Sequence, residues 1–144
     1  MNDLFFFANR TGSAPPPRAL LVRIKDAVLG KRAPVSLIYA SAPFMRNLNR
    51  VYRKKSYVPN VLAFPSAKSE GDIFICPSLA AREARREGIP RDARVLFLFI
   101  HGLLHLKGMR HGATMEAHEM KFLKKFGMSS SLRFFYVSKN LLRR

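Results

Sequence analysis

The chain has 144 residues, 48% of them hydrophobic, which suits one compact domain and excludes two ordinary cores. Its 26 Lys and Arg against 9 Asp and Glu give a formal net charge of +17, far more than solubility requires. The excess is spread along the chain, with 11 basic and 2 acidic residues in 1–60 and 15 and 7 in 61–144, and it predicts a polyanionic partner such as RNA or the ribosome.

The first forty residues predict a strand, a helix and a second strand. An apolar run covers residues 4–8, and the breaker "TGSAPPP" separates it from a helical pattern that Gly30 closes. The run at 35–39 predicts the second strand.

Residues 41–64 predict a helix followed by a short extended segment. Ser41 is placed to cap a helix over 41–55, which ends in a basic cluster. The predicted apolar face of this helix consists of Phe44, Leu48, Val51 and Tyr52. Two prolines, at 59 and 65, bracket the extended run at 60–64.

The second half of the chain predicts a strand at "GDIFICP" and then helices over 77–88, 90–108 and 114–126. The helix at 90–108 is apolar nearly all round through its middle, as expected of a helix in the core, and Gly108 is placed to close it. We assign residues 1–127 to the domain and 128–144 to a basic carboxyl-terminal tail, for which a strand, a short helix and a mobile segment remain open.

Three of the four histidines lie in "HGLLHLKGMRH", residues 101–111. On a helix, His101 and His105 lie about 40° apart around the axis and about 6 Å apart along it, so their imidazoles can share one ion. If Gly108 turns the chain sharply, His111 can reach the same ion. Three protein ligands leave one coordination position open, as in catalytic zinc sites, and imidazoles also suit nickel or copper. A fourth protein ligand, for example His118, would instead indicate a structural metal.

The same spacing of histidines occurs in zinc peptidases of the H-E-x-x-H-x-x-G-x-x-H type. Their general base is a glutamate directly after the first histidine. Because Gly102 occupies this position here, the sequence does not predict peptide hydrolysis.

Four motifs, "LNRVYRKK", "NVLAFP", "GDIFICP" and "HGLLHLKGMRH", follow one another along the chain. In this order and spacing they resemble the YbeY family of bacterial rRNA-maturation endoribonucleases, from about residue 35 to residue 126. The resemblance implies an α+β fold, in which helices flank a small mixed sheet and the metal-binding helix lies in the core. It also implies metal-dependent cleavage of single-stranded RNA in rRNA maturation and ribosome quality control, with rRNA and the ribosome or ribosomal proteins as partners.

The resemblance assigns the metal ligands to His101, His105 and His111, and an essential catalytic arginine to Arg53. An arginine fork can bind two oxygens of one phosphate and stabilise the charge that grows in the transition state. Without the resemblance, Arg53 would be interpreted as a surface cation at the carboxyl end of a helix.

Three further cations, Lys54, Lys55 and Arg110, are expected to contact RNA. Tyr57 or Phe64 can stack a base if exposed, although ordinary core packing is the alternative for both. The expected cofactor is one divalent metal ion, zinc, with no small organic cofactor. The sequence identifies no carboxylate as a general base.

Six positions depart from the motifs of the family. Ser56 and Ala63 replace an aspartate and a serine, Val58 with Pro59 replaces Pro-Thr before Asn60, and Met109 with Arg110 replaces Tyr-Asp before the last histidine. The linker "SAKSE" is also short, so the rim of the cleft is expected to be trimmed. These departures favour an alternative function, a non-catalytic RNA-binding ribosome-assembly factor with a structural metal, whereas the histidines and Arg53 favour the enzyme.

The single cysteine, Cys76, excludes an internal disulfide and predicts a reduced, cytoplasmic setting. We expect its thiol to be a small buried apolar group. The run at 4–8 lacks the features of a signal peptide, and the run at 95–100 is too short to cross a bilayer, so no membrane partner is expected.

Overall fold

A computed structural model describes residues 4–128 of the chain. The helices and strands of this range follow the order β1 (Phe5–Asn9), α1 (Arg18–Leu29), β2 (Val35–Tyr39), α2 (Ala42–Arg53), β3 (Val61–Ala67), β4 (Glu70–Ile75), α3 (Pro77–Glu87), α4 (Arg91–Leu106) and α5 (Ala113–Lys125). Each predicted helix and strand in this range is therefore present. The predicted tail lies outside the described residues except for Met128, which is buried against the core.

The four strands form one mixed sheet in the order β1-β2-β4-β3. β1 and β4 both pair with β2 in parallel, whereas β3 pairs with β4 antiparallel at the edge of the sheet. The chain is thus a single α+β domain, as predicted.

The two faces of the sheet pack against different helices. On β4, Ile73 and Ile75 are fully buried in the main core, which includes apolar residues of α1, α3 and α4. Phe74 lies between them in sequence and therefore points to the other face, where it packs with residues of α2 such as Met45. Cys76 is also fully buried on this side, as predicted.

Helix α4 is the central helix of the domain, because it packs against α1, α3, α5, β3 and β4. Residues 94–104 are all buried, which confirms the prediction of a core helix. Gly102 allows its close contact with the sheet, since a Cβ atom there would lie 2.9 Å from Cγ2 of Ile73. A side chain at the position that holds a glutamate in zinc peptidases would therefore press against Ile73.

Helix α2 begins as predicted, and Phe44 and Leu48 of its predicted apolar face pack against the core, but the rest of the buried face is different. The Ser41 hydroxyl accepts a hydrogen bond from the Phe44 N–H, at 3.3 Å, and caps the helix. Asn49 is fully buried, whereas Val51 and Tyr52, expected on the apolar face, are 56% and 66% exposed. The burial of Asn49 has a polar cause, because its side-chain amide donates to the carbonyl of Tyr57 at 3.0 Å.

Strand β3 continues past the predicted extended run at 60–64 and ends at Ala67. An edge strand tolerates Pro65 because one side of the strand needs no N–H donor, and the register shifts between Pro65 and Ala67. The short connection to β4 contains Ser69, which has a φ of 62° and donates its N–H to the carbonyl of Leu106 at 2.9 Å. The tip of this hairpin is thereby bonded to the carboxyl end of α4.

No helix within residues 4–128 is long and apolar enough to span a bilayer.

Candidate metal centre and the cleft around it

A cleft of about 1260 Å³ lies between α4 and the edge strand β3. The α4 side of the cleft consists of residues spaced three or four apart on one helical face, namely Arg94, Phe97, Leu98, His101, Gly102 and His105. The opposite side contains β3 and the segment between α2 and β3. Both Arg53 and His111 line the same cleft.

The three histidines of the 101–111 segment converge. Their ring centroids lie 4.6 Å apart for His101 and His105, 5.0 Å for His101 and His111, and 4.7 Å for His105 and His111. One candidate ligand nitrogen from each ring lies within 4.8 Å of the others. The three histidines are therefore positioned to hold a metal ion.

The turn after α4 brings His111 back to the two helical histidines. Gly108 has a φ of 101°, which glycine adopts readily because it lacks a Cβ atom. The N–H of Gly108 donates to the carbonyl of His105, and the N–H of Met109 donates to the carbonyl of Leu104, both at 3.0 Å. This pair of bonds is the Schellman motif, and it confirms Gly108 as the residue that closes the helix.

The same turn orients the ring of His105. Nδ1 of His105 lies 3.1 Å from the carbonyl oxygen of Met109, which can only accept, so we assign the proton to Nδ1. The lone pair of Nε2 therefore faces the other histidines. Burial, together with the charges of His101 and His111, lowers the pKa of His105 to about 4 and keeps the ring in the neutral form that binds metals.

A buried carboxylate orients His101. Glu119, on α5, is 2% exposed, and its Oε2 lies 2.6 Å from Nδ1 of His101. Such a carboxylate fixes the tautomer of a metal-binding imidazole and raises its basicity. The sequence analysis missed Glu119, although its spacing from Met115 and Phe122, four and three residues, places it on the buried face of α5.

The donor atoms fit a shared cation. Nε2 of His101 and Nε2 of His105 lie 3.1 Å apart. With both Nδ1 atoms protonated, two lone pairs face each other and cannot form a hydrogen bond. In tetrahedral zinc sites with Zn–N bonds of about 2.0–2.1 Å, two ligand nitrogens lie about 3.3 Å apart, close to the separation observed here.

His118, the possible fourth ligand, lies on α5 beside Glu119. The group of converging donor residues found among residues 4–128 consists of the three other histidines and does not include it. Nδ1 of His118 is buried and has no hydrogen-bond partner within the described part of the chain.

Arg53 and the cations predicted to bind RNA occupy different places. Arg53 is the last residue of α2, is exposed, and lines the cleft with the histidines. Lys54, Lys55 and Arg110 are also exposed, but their side chains lie outside the lining of the cleft. The structure thus places Arg53 in the same cleft as the histidines, whereas the other three cations lie on the surface outside its lining.

A second arginine is buried in the wall of the cleft. Arg94 is 1% exposed, and its Nε donates to Oε1 of Glu83 at 3.1 Å. The side-chain amide of Asn60 donates to both carboxylate oxygens of Glu83 at 3.2 Å. Because a carboxylate only accepts, the NH₂ group of Asn60 must face Glu83, which fixes the orientation of the amide.

The two aromatic residues considered for base stacking differ in exposure. Tyr57 is 53% exposed and lines the cleft, so it does not belong to the core. Phe64 is partly buried, and its ring packs edge-on against Phe74 at 5.7 Å and against Tyr52 at 5.4 Å. Of the six departures from the family motifs, Val58, Pro59 and Ala63 line the cleft.

Comparison with known proteins identifies the family. Residues 18–131 match the family model described as Endoribonuclease YbeY. The chain is 40% identical over 112 residues to the Endoribonuclease YbeY of Aromatoleum aromaticum, across 76% of this chain and 73% of that protein. It is 37% identical over 121 residues to the Endoribonuclease YbeY of Thiobacillus denitrificans, across 77% and 82%.

A solution structure of a Thermotoga maritima protein has the same fold, with a TM-score of 0.61 at 22% identity over 85% of this chain and 88% of that one. Residues 18–131, which match the family model, contain both the histidine segment and the segment around Arg53. The chain belongs to the endoribonuclease YbeY family.

Proposed function

We propose that this protein is a metal-dependent endoribonuclease that hydrolyses phosphodiester bonds in single-stranded RNA. The observation that carries the proposal is that three convergent histidines and an exposed arginine line one cleft. The family of the chain and its net charge of +17 both support RNA as the substrate.

In this proposal His101, His105 and His111 hold one zinc ion. When bound, the ion supplies Lewis acidity, which lowers the pKa of water toward about 7 and stabilises negative charge on phosphate oxygens. Glu119 and the carbonyl of Met109 hold the rings of His101 and His105 with Nε2 facing the ion. A set of three protein ligands leaves a coordination position for the reaction, as in catalytic sites.

Arg53 is the proposed catalytic residue that binds the scissile phosphate. Its guanidinium offers five N–H donors in a planar fork, and two of them match two oxygens of one phosphate. Because Arg53 is exposed and lies at the cleft, it can hold the phosphate near the three histidines and stabilise the charge that develops there.

The remaining cations bind RNA outside the reacting group. Lys54 and Lys55 directly follow Arg53, and Arg110 directly precedes His111. All three are exposed, so in this proposal they contact backbone phosphates on either side of the scissile bond.

The biological role proposed here is the maturation of rRNA and ribosome quality control, with rRNA and the ribosome or ribosomal proteins as partners. A cytoplasmic location belongs to this proposal because that is where these partners are. The support is the match to the family and the basic charge spread over the whole chain.

The test is cleavage of a single-stranded rRNA fragment by the zinc-loaded full-length protein. His105→Ala removes one proposed ligand, and His118→Ala serves as the matched control because it removes the histidine outside the convergent group. All proteins are purified together so that contaminating nuclease is equal, and the zinc content of each is measured by mass spectrometry.

We expect the wild type and His118→Ala to cut the fragment, and His105→Ala to lose both zinc and cleavage. Equal cleavage by all three proteins would show that the histidine site is not catalytic. If the wild type binds RNA and zinc but cuts nothing, the chain is instead a non-catalytic RNA-binding assembly factor.

A further inference from the structure

We propose that Tyr52 and Tyr57 form a stacking platform for two unpaired bases at the rim of the cleft. The platform rests on the proposed function, because it supplies the base contacts of the RNA whose phosphate Arg53 would bind. It assigns the preference for single strands to a particular surface of this protein.

The platform is a concentration of exposed apolar surface. Five large hydrophobic side chains are exposed within the described residues, namely Phe6, Val51, Tyr52, Tyr57 and Met120. Three of these five lie within residues 51–57, next to Arg53. Tyr52 is 66% exposed and Tyr57 is 53% exposed, so more than half of each residue is accessible to a ligand.

The two tyrosines bracket a run of cations. The segment "YRKKSY" places Arg53, Lys54 and Lys55 between them. Aromatic rings on either side of a group of cations suit a single nucleic-acid strand, since the rings can stack on bases while the cations bind phosphates. The cores of protein interfaces are depleted in lysine, so a nucleic acid fits this surface better than a protein does.

The backbone under the platform is anchored. The side-chain amide of the buried Asn49 donates to the main-chain carbonyl of Tyr57 at 3.0 Å. The main-chain carbonyl of Asn49 accepts the N–H of Lys55 at 3.2 Å. Tyr52 rests with its ring against Phe64 at 5.4 Å and an interplanar angle of 66°. The ring of Tyr52 and the main chain that carries Tyr57 are therefore held in place before a base arrives, which reduces the entropy that binding must overcome.

The position of the platform explains why it selects single strands. Tyr57 lines the cleft together with Arg53, and Tyr52 directly precedes Arg53. Bases in a duplex are stacked on both faces and cannot reach a protein ring, whereas bases next to a phosphate on Arg53 can do so in an unpaired strand.

The experiment uses a short single-stranded RNA with one fluorescent 2-aminopurine base, mixed in a stopped-flow instrument with zinc-loaded full-length protein. Stacking of the base on tyrosine quenches its fluorescence before cleavage proceeds, and cleavage is measured on the same samples by gel. Tyr52→Leu and Tyr57→Leu remove the rings. Phe6→Leu is the matched control, because Phe6 is 56% exposed on β1 at the opposite edge of the sheet.

We expect each tyrosine variant to lose quenching and to bind the RNA about 5- to 100-fold more weakly, the usual effect of removing an aromatic stacking partner. Tyr57→Trp keeps an aromatic ring at this position and is expected to retain the quenching and the affinity of the wild type. The Phe6 control is expected to behave as the wild type. An RNA with an abasic site at the probe position is expected to bind the wild type and Tyr57→Leu equally.

Quenching and affinity that stay unchanged in both tyrosine variants would overturn the platform. Cleavage separates this result from a failure of the proposed function. A wild type that quenches but does not cut retains the platform and loses the nuclease, whereas one that cuts while the leucine variants still quench retains the nuclease and loses the platform.

Discussion

Two arginines line the same cleft, and their surroundings differ. Arg94 is 1% exposed, bonded to Glu83, and positioned over the ring of Phe97 at 5.2 Å. Arg53 is exposed at the end of α2. The charge of the buried arginine is neutralised by a carboxylate of the protein itself, whereas the exposed arginine remains accessible to a substrate phosphate. The position of an arginine in the lining of the cleft is therefore not sufficient to identify it as the residue that binds the substrate.

The largest expected effect is the loss of stability that follows when the buried ion pair of Arg94 and Glu83 is broken. Arg94→Met leaves the buried carboxylate of Glu83 with the amide of Asn60 but without its cation, and should lower the free energy of unfolding by about 3–5 kcal/mol. Urea unfolding followed by circular dichroism measures the loss. The comparison variant is Arg53→Met, whose urea midpoint should match that of the wild type because Arg53 is exposed.

A second variant tests the cause of this loss. The double variant Glu83→Gln, Arg94→Met removes the uncompensated charge and should recover part of the stability. If the double variant is as unstable as Arg94→Met alone, lost packing rather than the buried charge is responsible.

The next prediction concerns the exposed arginine. Arg53→Met should lower the rate of RNA cleavage about 10²- to 10³-fold, since one transition-state donor group typically contributes that much. Arg53→Lys keeps the charge but loses the fork, so its rate should lie between those of the wild type and Arg53→Met. Cleavage is measured under single-turnover conditions. A wild-type rate for Arg53→Lys would refute the fork and leave only a requirement for charge.

The buried carboxylate of α5 is the next target. Glu119→Gln should weaken zinc binding about 10- to 100-fold, because His101 loses the charged group that orients it. Competition with a chromophoric chelator measures the affinity. Asp72→Asn is the control, since it makes the same change of charge at an exposed position of β4. Equal affinities for both variants would show that Glu119 does not support the metal site.

The next prediction concerns His105, whose lowered pKa makes the stability of the metal-free protein depend on pH. In the unfolded chain His105 takes up a proton near its ordinary pKa of about 6.5, whereas burial lowers its pKa in the folded protein to about 4. The metal-free protein should therefore be most stable above about pH 6.5 and lose on the order of 1–2 kcal/mol as the pH falls toward about 4.

Urea midpoints of chelator-treated wild type and His105→Gln across this pH range measure the effect. The variant lacks the titrating ring, so its midpoint should fall less than that of the wild type. Parallel curves would assign the loss to other groups.

The smallest expected effect concerns how α4 packs on the sheet. Gly102→Ala places a Cβ atom 2.9 Å from Ile73 and should cost about 1 kcal/mol, because overpacking outweighs the gain in helix propensity. Gly12→Ala is the control, since a Cβ atom there meets nothing within 4 Å. Thermal unfolding should separate the two variants, and equal stability would mean that Ile73 moves aside without cost.

Hydrophobic patterning predicted the arrangement of the core well. The middle of helix α4 is nearly all apolar because it is buried on all sides, so its burial could be predicted from hydropathy. Its end could also be predicted, because Gly108 forms a local turn. The convergence of the histidines was also predictable, because two of them lie one helical turn apart and the third lies just beyond that glycine.

Buried polar groups were harder to predict because each depends on a partner far along the chain. Glu119 lies 18 residues from His101, and Glu83 lies 11 residues from Arg94. In α2, Asn49 is buried by its bond to Tyr57, whereas a hydropathy pattern assigns asparagine to solvent. Such pairs do not produce a helical or strand period, so the pattern alone could not find them.

The hydrogen bond from His105 to Met109 ends on a main-chain carbonyl rather than on a side chain. In evolutionary terms, a substitution at residue 109 keeps the acceptor of this bond, provided that the new side chain packs against the core as Met109 does and the backbone keeps its path. The constraint falls instead on Gly108, whose positive φ produces that path. Directed evolution of this protein could therefore exchange Met109 for other apolar residues, while Gly108 is kept unchanged.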